Sequence, residues 1–207
     1  MGMDIFNNFM KTPSCLLFFF DRVPDLLQFP KVISNNYEST FEATVKLIKA
    51  GVKRPVFIAT EEPLYTSIER RRGFQAALTS HSIKFSDEMI LECSDDMDKN
   101  YSVIRRLLSG KKRPDGIFAS IEKYAITTYQ VCKELKINIP RDLKIIGMTN
   151  LRTAALLNPS LSTLSQPAFE MGREAASLLI KMIEKKSYAA ANDIIVLNNE
   201  LTIRESV

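Results

Sequence analysis

The sequence has 207 residues, of which 45% are hydrophobic and 25% are charged, and its formal net charge is +4. This composition is typical of a soluble globular protein and excludes a disordered, collagen-like or low-complexity chain, and so small a net charge gives no indication of a nucleic-acid surface. The length allows one large domain or two lobes that share a core.

The first residues of the chain indicate in which cellular compartment the protein is located. Residues 1–11 lack the basic segment of a secretory signal, and the apolar run CLLFFF at 15–20 is far shorter than the roughly 18 residues of a membrane helix. The run predicts a buried strand, and we expect a cytoplasmic protein without a membrane partner. The three cysteines, Cys15, Cys93 and Cys132, show no CxxC spacing, which fits a reducing compartment and predicts buried thiols.

The next segment predicts a helix. Asn35 and Glu38 have the spacing of a capping box, and apolar residues then recur at helical spacing up to Gly51. Because glycine commonly follows the last helical turn, the helix is expected to end there.

Four short apolar runs follow, starting at Pro55, Met89, Gly116 and Leu143, which lie 34, 27 and 27 residues apart. Amphipathic segments separate them, and this is the length of a βαβ unit. Continuous apolar strands that alternate with helices predict a doubly wound α/β fold, in which helices cover both faces of a parallel sheet.

The end of the chain predicts one more helix and two short strands. Pro167 suits a first helical position, and apolar residues continue at helical spacing for about four turns. The runs at 194–197 and 201–204 flank Asn198 and Asn199, which predicts a closing hairpin or a strand with a loop.

The order of these elements predicts two lobes. Residues 1–52 and 161–187 are expected to form the first lobe, and residues 53–150 and 192–207 the second. Ligands of such sheets bind at the carboxyl ends of the strands, which here would face a cleft between the lobes.

Catalytic motifs are sparse. The sequence has no GxGxxG, GxxxxGK[ST], GxSxG or HExxH motif, and its single histidine, His81, has no partner at metal-ligand spacing. Asp95, Asp96 and Asp98 lack the spacing of a calcium loop and predict a helix start, where the helix dipole favours acids. The basic run at 111–113 predicts a solvated turn. We therefore expect no enzyme activity, no metal and no cofactor.

The run Arg70-Arg71-Arg72 precedes Gly73-Phe74. Consecutive helical residues point about 100° apart, so three arginines cannot share one face. From this geometry alone, all three are expected on the solvated surface of a helix.

Seven segments occur in a characteristic order. FFDRVP at 19–24, VISNNYESTFEATVKLIKAGVKRPVFI at 32–58 and ERRRGFQAAL at 69–78 are followed by GIFASIEKYAI, KELKINIPRDLKIIGMTN, NPSLSTLSQPAFEMGREAASLLI and ELTIRES. Together they resemble the effector-binding domain of the LacI/GalR family of bacterial transcription regulators. The resemblance implies a two-lobed, periplasmic-binding-protein-like fold of type I with parallel doubly wound sheets. It also implies that the helix-turn-helix head and the opening part of the first lobe are absent from this chain, which leaves the first lobe incomplete.

The resemblance further implies a set of effector-binding residues. Arg70 occupies the arginine position of the family's R-x-x-G-F pattern and is expected in the cleft, where a guanidinium can bind hydroxyls or a carboxylate through two nitrogens. Asp21 and Arg22 end a strand of the first lobe, and Asn35 and Asn36 follow the next strand, so all four could line the opposite wall. The structural alternatives are loop caps for Asp21 and Asn35 and a surface ion pair for Arg22.

Two loops of the second lobe complete the expected site. Ser120 and Glu122 occupy a loop where the family often has Asn-Asp, and Thr149 and Asn150 one where it often has Asp followed by Asp or Asn. These departures remove carboxylates that commonly bind sugar hydroxyls, so they weigh against a generic monosaccharide.

The implied function is that of an effector-sensing domain. A small polar metabolite, a sugar or sugar derivative, would bind between the lobes of a homodimer and control operator binding through a head domain missing from this chain. One alternative is an extracytoplasmic sugar-binding protein of a transporter, which would need an export signal. Another is an enzyme of a related fold, with Asp21 or Glu122 as the base.

Overall fold

The computed structural model describes residues 17–23, 29–62, 64–184 and 193–207. The strands among them are β1 (Phe19–Phe20), β2 (Lys31–Ser34), β3 (Pro55–Thr60), β4 (Ile90–Cys93), β5 (Gly116–Ala119), β6 (Lys144–Met148), β7 (Ser162–Ser165), β8 (Ile194–Leu197) and β9 (Glu200–Thr202). The α-helices are α1 (Asn36–Lys49), α2 (Tyr65–Ser80), α3 (Met97–Ser109), α4 (Glu122–Leu135) and α5 (Ala168–Glu184). Short 3-10 helices cover Asp87–Met89 and Arg152–Leu156.

The chain divides into two compact units. The first unit comprises Met1–Ile33 and Ala168–Leu197, and the second comprises Ser34–Pro167 and Asn198–Val207. These boundaries differ from the predicted lobes, which place residues 1–52 together, because α1 packs against α2 of the second unit.

The first unit contains a three-stranded sheet in the order β1-β2-β8, with β1 parallel to β2. One face of α5 packs on this sheet through an apolar cluster that contains Val32, Met171 and Leu178. The prediction of a buried first strand is wrong for its described part, since Phe20 is 45% exposed. Within the described sheet β1 pairs only with β2, and a strand with one neighbour is covered on one side only.

The second unit contains a six-stranded sheet in the order β4-β3-β5-β6-β7-β9. The pairs from β4 to β7 are parallel, and β9 adds an antiparallel strand to β7. All four predicted apolar runs are strands of this sheet. Their side chains alternate between faces, as the period of two in a strand requires.

The alternation builds two cores. On one face Ile58 and Ile117 pack with α3 and α4, and on the other Phe57 and Phe118 pack with α1 and α2. The rings of Phe57 and Phe118 are stacked with centroids 5.4 Å apart, and Phe74 of α2 lies 5.4 Å from Phe57. Helices therefore cover both faces, which confirms the predicted doubly wound architecture.

Of the two predicted alternatives, the closing hairpin is wrong, because β8 and β9 belong to different sheets, whereas strands separated by a short loop are present. The two residues between them do not form a hairpin turn. Asn198 and Asn199 bond to Asn35 instead, with the backbone nitrogen of Asn199 2.7 Å from Oδ1 of Asn35.

The cysteines and the acidic cluster match their predictions where they are described. Cys93 and Cys132 are buried free thiols, whereas Cys15 lies outside the described residues. Asp96 caps α3, where its carboxylate accepts hydrogen bonds from the backbone nitrogens of Asp98 and Lys99 at 3.0 and 3.1 Å. The basic run at 111–113 lies in a turn.

Candidate functional site

Arg70 is buried in the second unit, with only 7% of its surface exposed. Its Nε donates to Oδ1 of Asn36 at 2.7 Å, and its Nη1 donates to the backbone oxygen of Ser120 at 3.0 Å. A buried charge is tolerated only when such partners replace water. Arg71 and Arg72 differ, because each forms an ion pair near the surface. The expectation from helical geometry that all three arginines are solvated is therefore wrong for Arg70.

The R-x-x-G-F pattern explains how Arg70 reaches these partners. Gly73 lies one turn further along the same face of α2, where a Cβ atom would collide with the backbone oxygen of Tyr37. Only glycine allows α1 and α2 to approach this closely. Phe74, one turn from Arg70 on the same buried face, packs in the core, and Arg70 is directed toward the start of α1 and Asn36.

Ser120 lies directly after β5 and is 2% exposed. Its backbone oxygen accepts the bond from Arg70, and its backbone nitrogen donates to the oxygen of Ile58 at 3.0 Å. The hydroxyl of Ser120 is buried without a hydrogen-bond partner in the structure. A buried hydroxyl without a partner is costly, and it marks a place where a ligand could supply one.

Glu122 and Thr149 are brought together at the same edge of the sheet. Glu122 is the first residue of α4, Thr149 follows β6, and the Thr149 hydroxyl donates to Oε2 of Glu122 at 2.7 Å. The same hydroxyl accepts from the backbone nitrogen of Leu151 at 2.9 Å. Because β5 and β6 are adjacent and parallel, their carboxyl ends meet, and the loops that follow them come into contact.

Asn35 and Asn150 act on the backbone of neighbouring segments. Oδ1 of Asn35 accepts from the backbone nitrogen of Asn199, and Nδ2 donates to Oδ1 of Asn198 at 3.1 Å. Asn150 forms a reciprocal pair with the backbone of Gln166, with both bonds at 2.8 Å. Both side chains therefore hold distant loops in place, and the Asn35 side chain forms no capping bond to its own helix.

Asp21 and Arg22 follow β1 in the first unit. Asp21 has a left-handed backbone with φ of 58°, which Asp tolerates better than most residues, and its nitrogen donates to the oxygen of Val32 at 2.9 Å. Arg22 is exposed. Their role as effector contacts stays a prediction.

Sequence reasoning missed Ser34 and Gln166. Nε2 of Gln166 donates to the Ser34 hydroxyl at 3.1 Å across 132 residues of sequence. No local pattern marks such a pair, and the one available signal was the position of Gln166 just before Pro167, the residue that precedes α5.

Among the residues that the structure describes there is neither a cluster of metal ligands nor a helix that could cross a membrane. No group of three or more His, Cys, Asp or Glu side chains there could hold a metal ion. None of the described helices is long and apolar enough to cross a bilayer.

Arg70 is thus held beside a buried hydroxyl without a partner, at the strand ends of a doubly wound unit, which is the edge where such folds bind ligands. Residues 44–207 match the family described as "Periplasmic binding protein-like domain". The chain belongs to this family, as the effector-binding domain of a LacI-family regulator, which confirms the resemblance seen in the sequence and the predicted fold class.

Named relatives agree with this assignment. Catabolite control protein A of Priestia megaterium is 28% identical over 181 residues, which are 86% of this chain and 54% of that protein. The solved structure "transcriptional regulator CelR-cellobiose complex" has a TM-score of 0.82 at 25% identity, covering 92% of this chain and 58% of that one. A LacI family transcriptional regulator from Enterococcus faecium with bound ribose has the same fold, with a TM-score of 0.85 at 23% identity over 99% of this chain and 74% of that one.

The chain spans about half the length of the curated relatives it matches, for example 54% of catabolite control protein A. The members of the family that it resembles are regulators of transcription and not enzymes, as predicted.

Proposed function

We propose that this chain senses a small polar metabolite for a cytoplasmic LacI/GalR-type regulator. The observation that carries the proposal is the buried Arg70, which is held by Asn36 and the Ser120 backbone at the carboxyl end of the sheet. This edge is where ligands of doubly wound sheets bind. A guanidinium whose direction is already fixed loses little entropy when it binds a ligand.

The chemistry around Arg70 favours a hydroxyl-rich effector, such as a sugar or sugar derivative. The Ser120 hydroxyl is buried without a partner, and a ligand hydroxyl can both donate to it and accept from it. Glu122 adds a carboxylate, a strong acceptor for sugar hydroxyls, at the same sheet edge. Cellobiose bound to CelR and ribose bound to the Enterococcus faecium regulator point in the same direction.

The proposed effector contacts of the second unit are Arg70 and, in the surrounding loops, Asn35, Ser120, Glu122, Thr149 and Asn150. Asp21 and Arg22 of the first unit stay contacts that the resemblance implies. We expect Asn35 and Asn150 to contribute mainly by holding the loops, because both already bond to neighbouring segments.

In the whole regulator, the effector would act by selecting one of two states. A ligand shifts such an equilibrium only by the difference between its affinities for the two states. The shift would change the geometry of a homodimer and thereby the fit of its paired heads to operator half-sites. The alternative, a sugar-binding protein of a transporter, is less well supported because the named relatives are transcription regulators.

A thermal-shift screen tests the proposal, with sugars, sugar acids and nucleobases as probes. At a concentration of about 100 times Kd, a ligand adds about 2.7 kcal/mol to the free energy of unfolding, which raises Tm by roughly 5–10 °C in a domain of this size. Arg70→Lys keeps the charge but loses the planar fork, so it should abolish the shift. Arg72→Lys is the matched control and should keep it. A probe that stabilises wild type and Arg70→Lys equally would contradict the proposed role of Arg70.

A further inference from the structure

A chain of hydrogen bonds runs from Arg70 to the places where the polypeptide passes between the two units. We propose that Asn36 and Gln166 are positioning residues, which link the state of the Arg70 guanidinium to the order of these connections. The meaning of this link for effector sensing rests on the proposed function, whereas the link itself does not.

Asn36 is the first step, because its amide has two ends with opposite roles. Its oxygen accepts from Nε of Arg70 at 2.7 Å. Its nitrogen donates to the hydroxyl and to the backbone oxygen of Ser34, both at 3.1 Å. An amide oxygen only accepts and an amide nitrogen only donates, so the orientation that serves Arg70 also fixes the bonds to Ser34.

Ser34 is the second step and lies at a connection. It is the first residue of the second unit, directly after the boundary at Ile33. Its hydroxyl also accepts from Nε2 of Gln166 at 3.1 Å. Gln166 lies two residues before Ala168, where the chain enters the first unit again. The backbone of Gln166 is held in turn by the reciprocal pair with Asn150.

The third connection between the units is also hydrogen-bonded to a residue at the beginning of α1. Asn198 is the first residue after the boundary at Leu197, and the nitrogen of Asn199 donates to Oδ1 of Asn35. Nδ2 of Asn199 donates to the Ser39 hydroxyl at 2.8 Å, which itself donates to the backbone oxygen of Asn35 at 2.6 Å. All three connections thus meet at residues 34–36, the segment that leads into α1 and also holds Arg70.

Burial gives this network its strength. Ser34, Asn36 and Arg70 are each less than 8% exposed, so water cannot replace a bond that is lost. An effector that draws the guanidinium away from Asn36 releases the Asn36 oxygen. The amide then turns toward a new partner, and its bonds to Ser34 change with it.

Hydrogen exchange on the ligand-free chain tests the link. The backbone amides of Gln166 and Asn199 are the reporters, because each donates to an asparagine side chain at a connection. Arg70→Lys touches neither reporter, yet it should speed their exchange by about two- to tenfold, the effect of one weakened hydrogen bond. Arg72→Lys, on the exposed side of the same helix, should leave both rates unchanged.

The substitution Asn36→Asp separates the roles of the two ends of the Asn36 side chain, the oxygen that accepts from Arg70 and the nitrogen that donates to Ser34. The carboxylate still accepts from Arg70 but cannot donate to Ser34, so exchange at the reporters should rise while the amides of Phe74 and Leu78 stay protected. Adding Arg70→Lys to Asn36→Asp should then have no further effect on the reporters. Additive effects of the two substitutions on exchange at the reporters would contradict the proposed link between Arg70 and the connections.

Gln166→Glu provides an independent variant, since it removes the side-chain donor to Ser34 and keeps the backbone pair with Asn150. It should speed exchange of the Asn199 amide, whereas the matched change Gln130→Glu on the exposed face of α4 should not. Unchanged exchange in Gln166→Glu would also overturn the link. An effector screen without a hit would count against the proposed function alone and leave these results as they are.

Discussion

The Thr149 hydroxyl donates to the Glu122 carboxylate at 2.7 Å and accepts from the Leu151 nitrogen, so one side chain joins the end of β6 to the start of α4. Thr149 is nearly buried, and Glu122 stands at the first helical position, where the helix dipole favours a negative charge. The resemblance places two family loops with carboxylates at these positions. In this chain a single carboxylate is kept, and a hydroxyl fixes its direction.

Replacing Thr149 by Val removes this hydroxyl without changing the shape of the side chain much. The Leu151 nitrogen and the Glu122 oxygen then lose a partner in a part-buried place, and we expect a loss of about 1 kcal/mol in the free energy of unfolding. Urea denaturation measures it, with Thr153→Val in an exposed stretch as the control, expected within about 0.5 kcal/mol of wild type. Equal stability of the two variants would show that the Thr149–Glu122 bond contributes nothing.

The two described thiols should be inert in the folded protein. Burial raises the pKa of Cys93 to about 11 and that of Cys132 to about 12, and the thiolate is the reactive form. In a Cys15→Ser background, a thiol reagent at pH 8 should leave both unmodified until urea unfolds the chain. Rapid modification of the native protein would show that one of them is accessible.

The same shifts predict a pH dependence of stability. Both folded pKa values lie above the ordinary thiol value of 9.0, so the folded protein keeps protons that the unfolded chain releases. Stability is therefore unaffected below about pH 8 and falls as pH rises beyond 9. Cys132→Ala should show a shallower fall between pH 9 and 11 than wild type, measured as the urea midpoint at each pH.

The carboxyl group of Asp142 leads to the opposite pH dependence, in which stability is lost at acid pH. Its bond with Arg141, together with the backbone and side-chain nitrogens of Asn138, holds the pKa of this carboxyl below its usual range. A depressed folded pKa contributes stability above the unfolded value near 4, and this contribution is lost as pH falls below it. The difference in Tm between wild type and Asp142→Asn should therefore shrink from pH 6 to pH 3. A difference that stays constant over this range would assign the effect to something other than the charge.

Features of this fold that repeat along the chain were predictable from the sequence, whereas features that depend on pairs of distant residues were not. The strands that start at Pro55 and Gly116 were predictable because each buried strand leaves a local apolar run. The exposure of Phe20 was not, since it depends on how many neighbours β1 has in the sheet. The burial of Arg70 contradicts helical geometry taken alone, and it became predictable only through the resemblance. The bond between Ser34 and Gln166 joins polar side chains far apart in sequence and leaves no periodic trace.

Two glycines in helices offer a matched pair of substitutions with opposite expected signs. Gly73 of α2 faces the backbone of α1, where a Cβ would collide with the Tyr37 oxygen and lie 3.1 Å from the Phe41 nitrogen, whereas a Cβ on Gly172 of α5 would meet nothing within 4 Å. Backbone atoms cannot rotate away as a flexible side chain can, so Gly73→Ala must push the helices apart and should cost about 1–3 kcal/mol, as overpacking does. Gly172→Ala should instead stabilise the protein by up to about 1 kcal/mol through helix propensity.

The position of Gly73, one turn from Arg70, adds a second consequence to the same experiment. Separating α1 from α2 lengthens the bond between Nε of Arg70 and Oδ1 of Asn36, now 2.7 Å, so Gly73→Ala should also weaken the response to any effector found in the screen. Gly172→Ala should keep that response in full. If Gly73→Ala were as stable as wild type, the close approach of the two helices would not be what holds Arg70 in place, and the glycine of the R-x-x-G-F pattern would need a different physical cause.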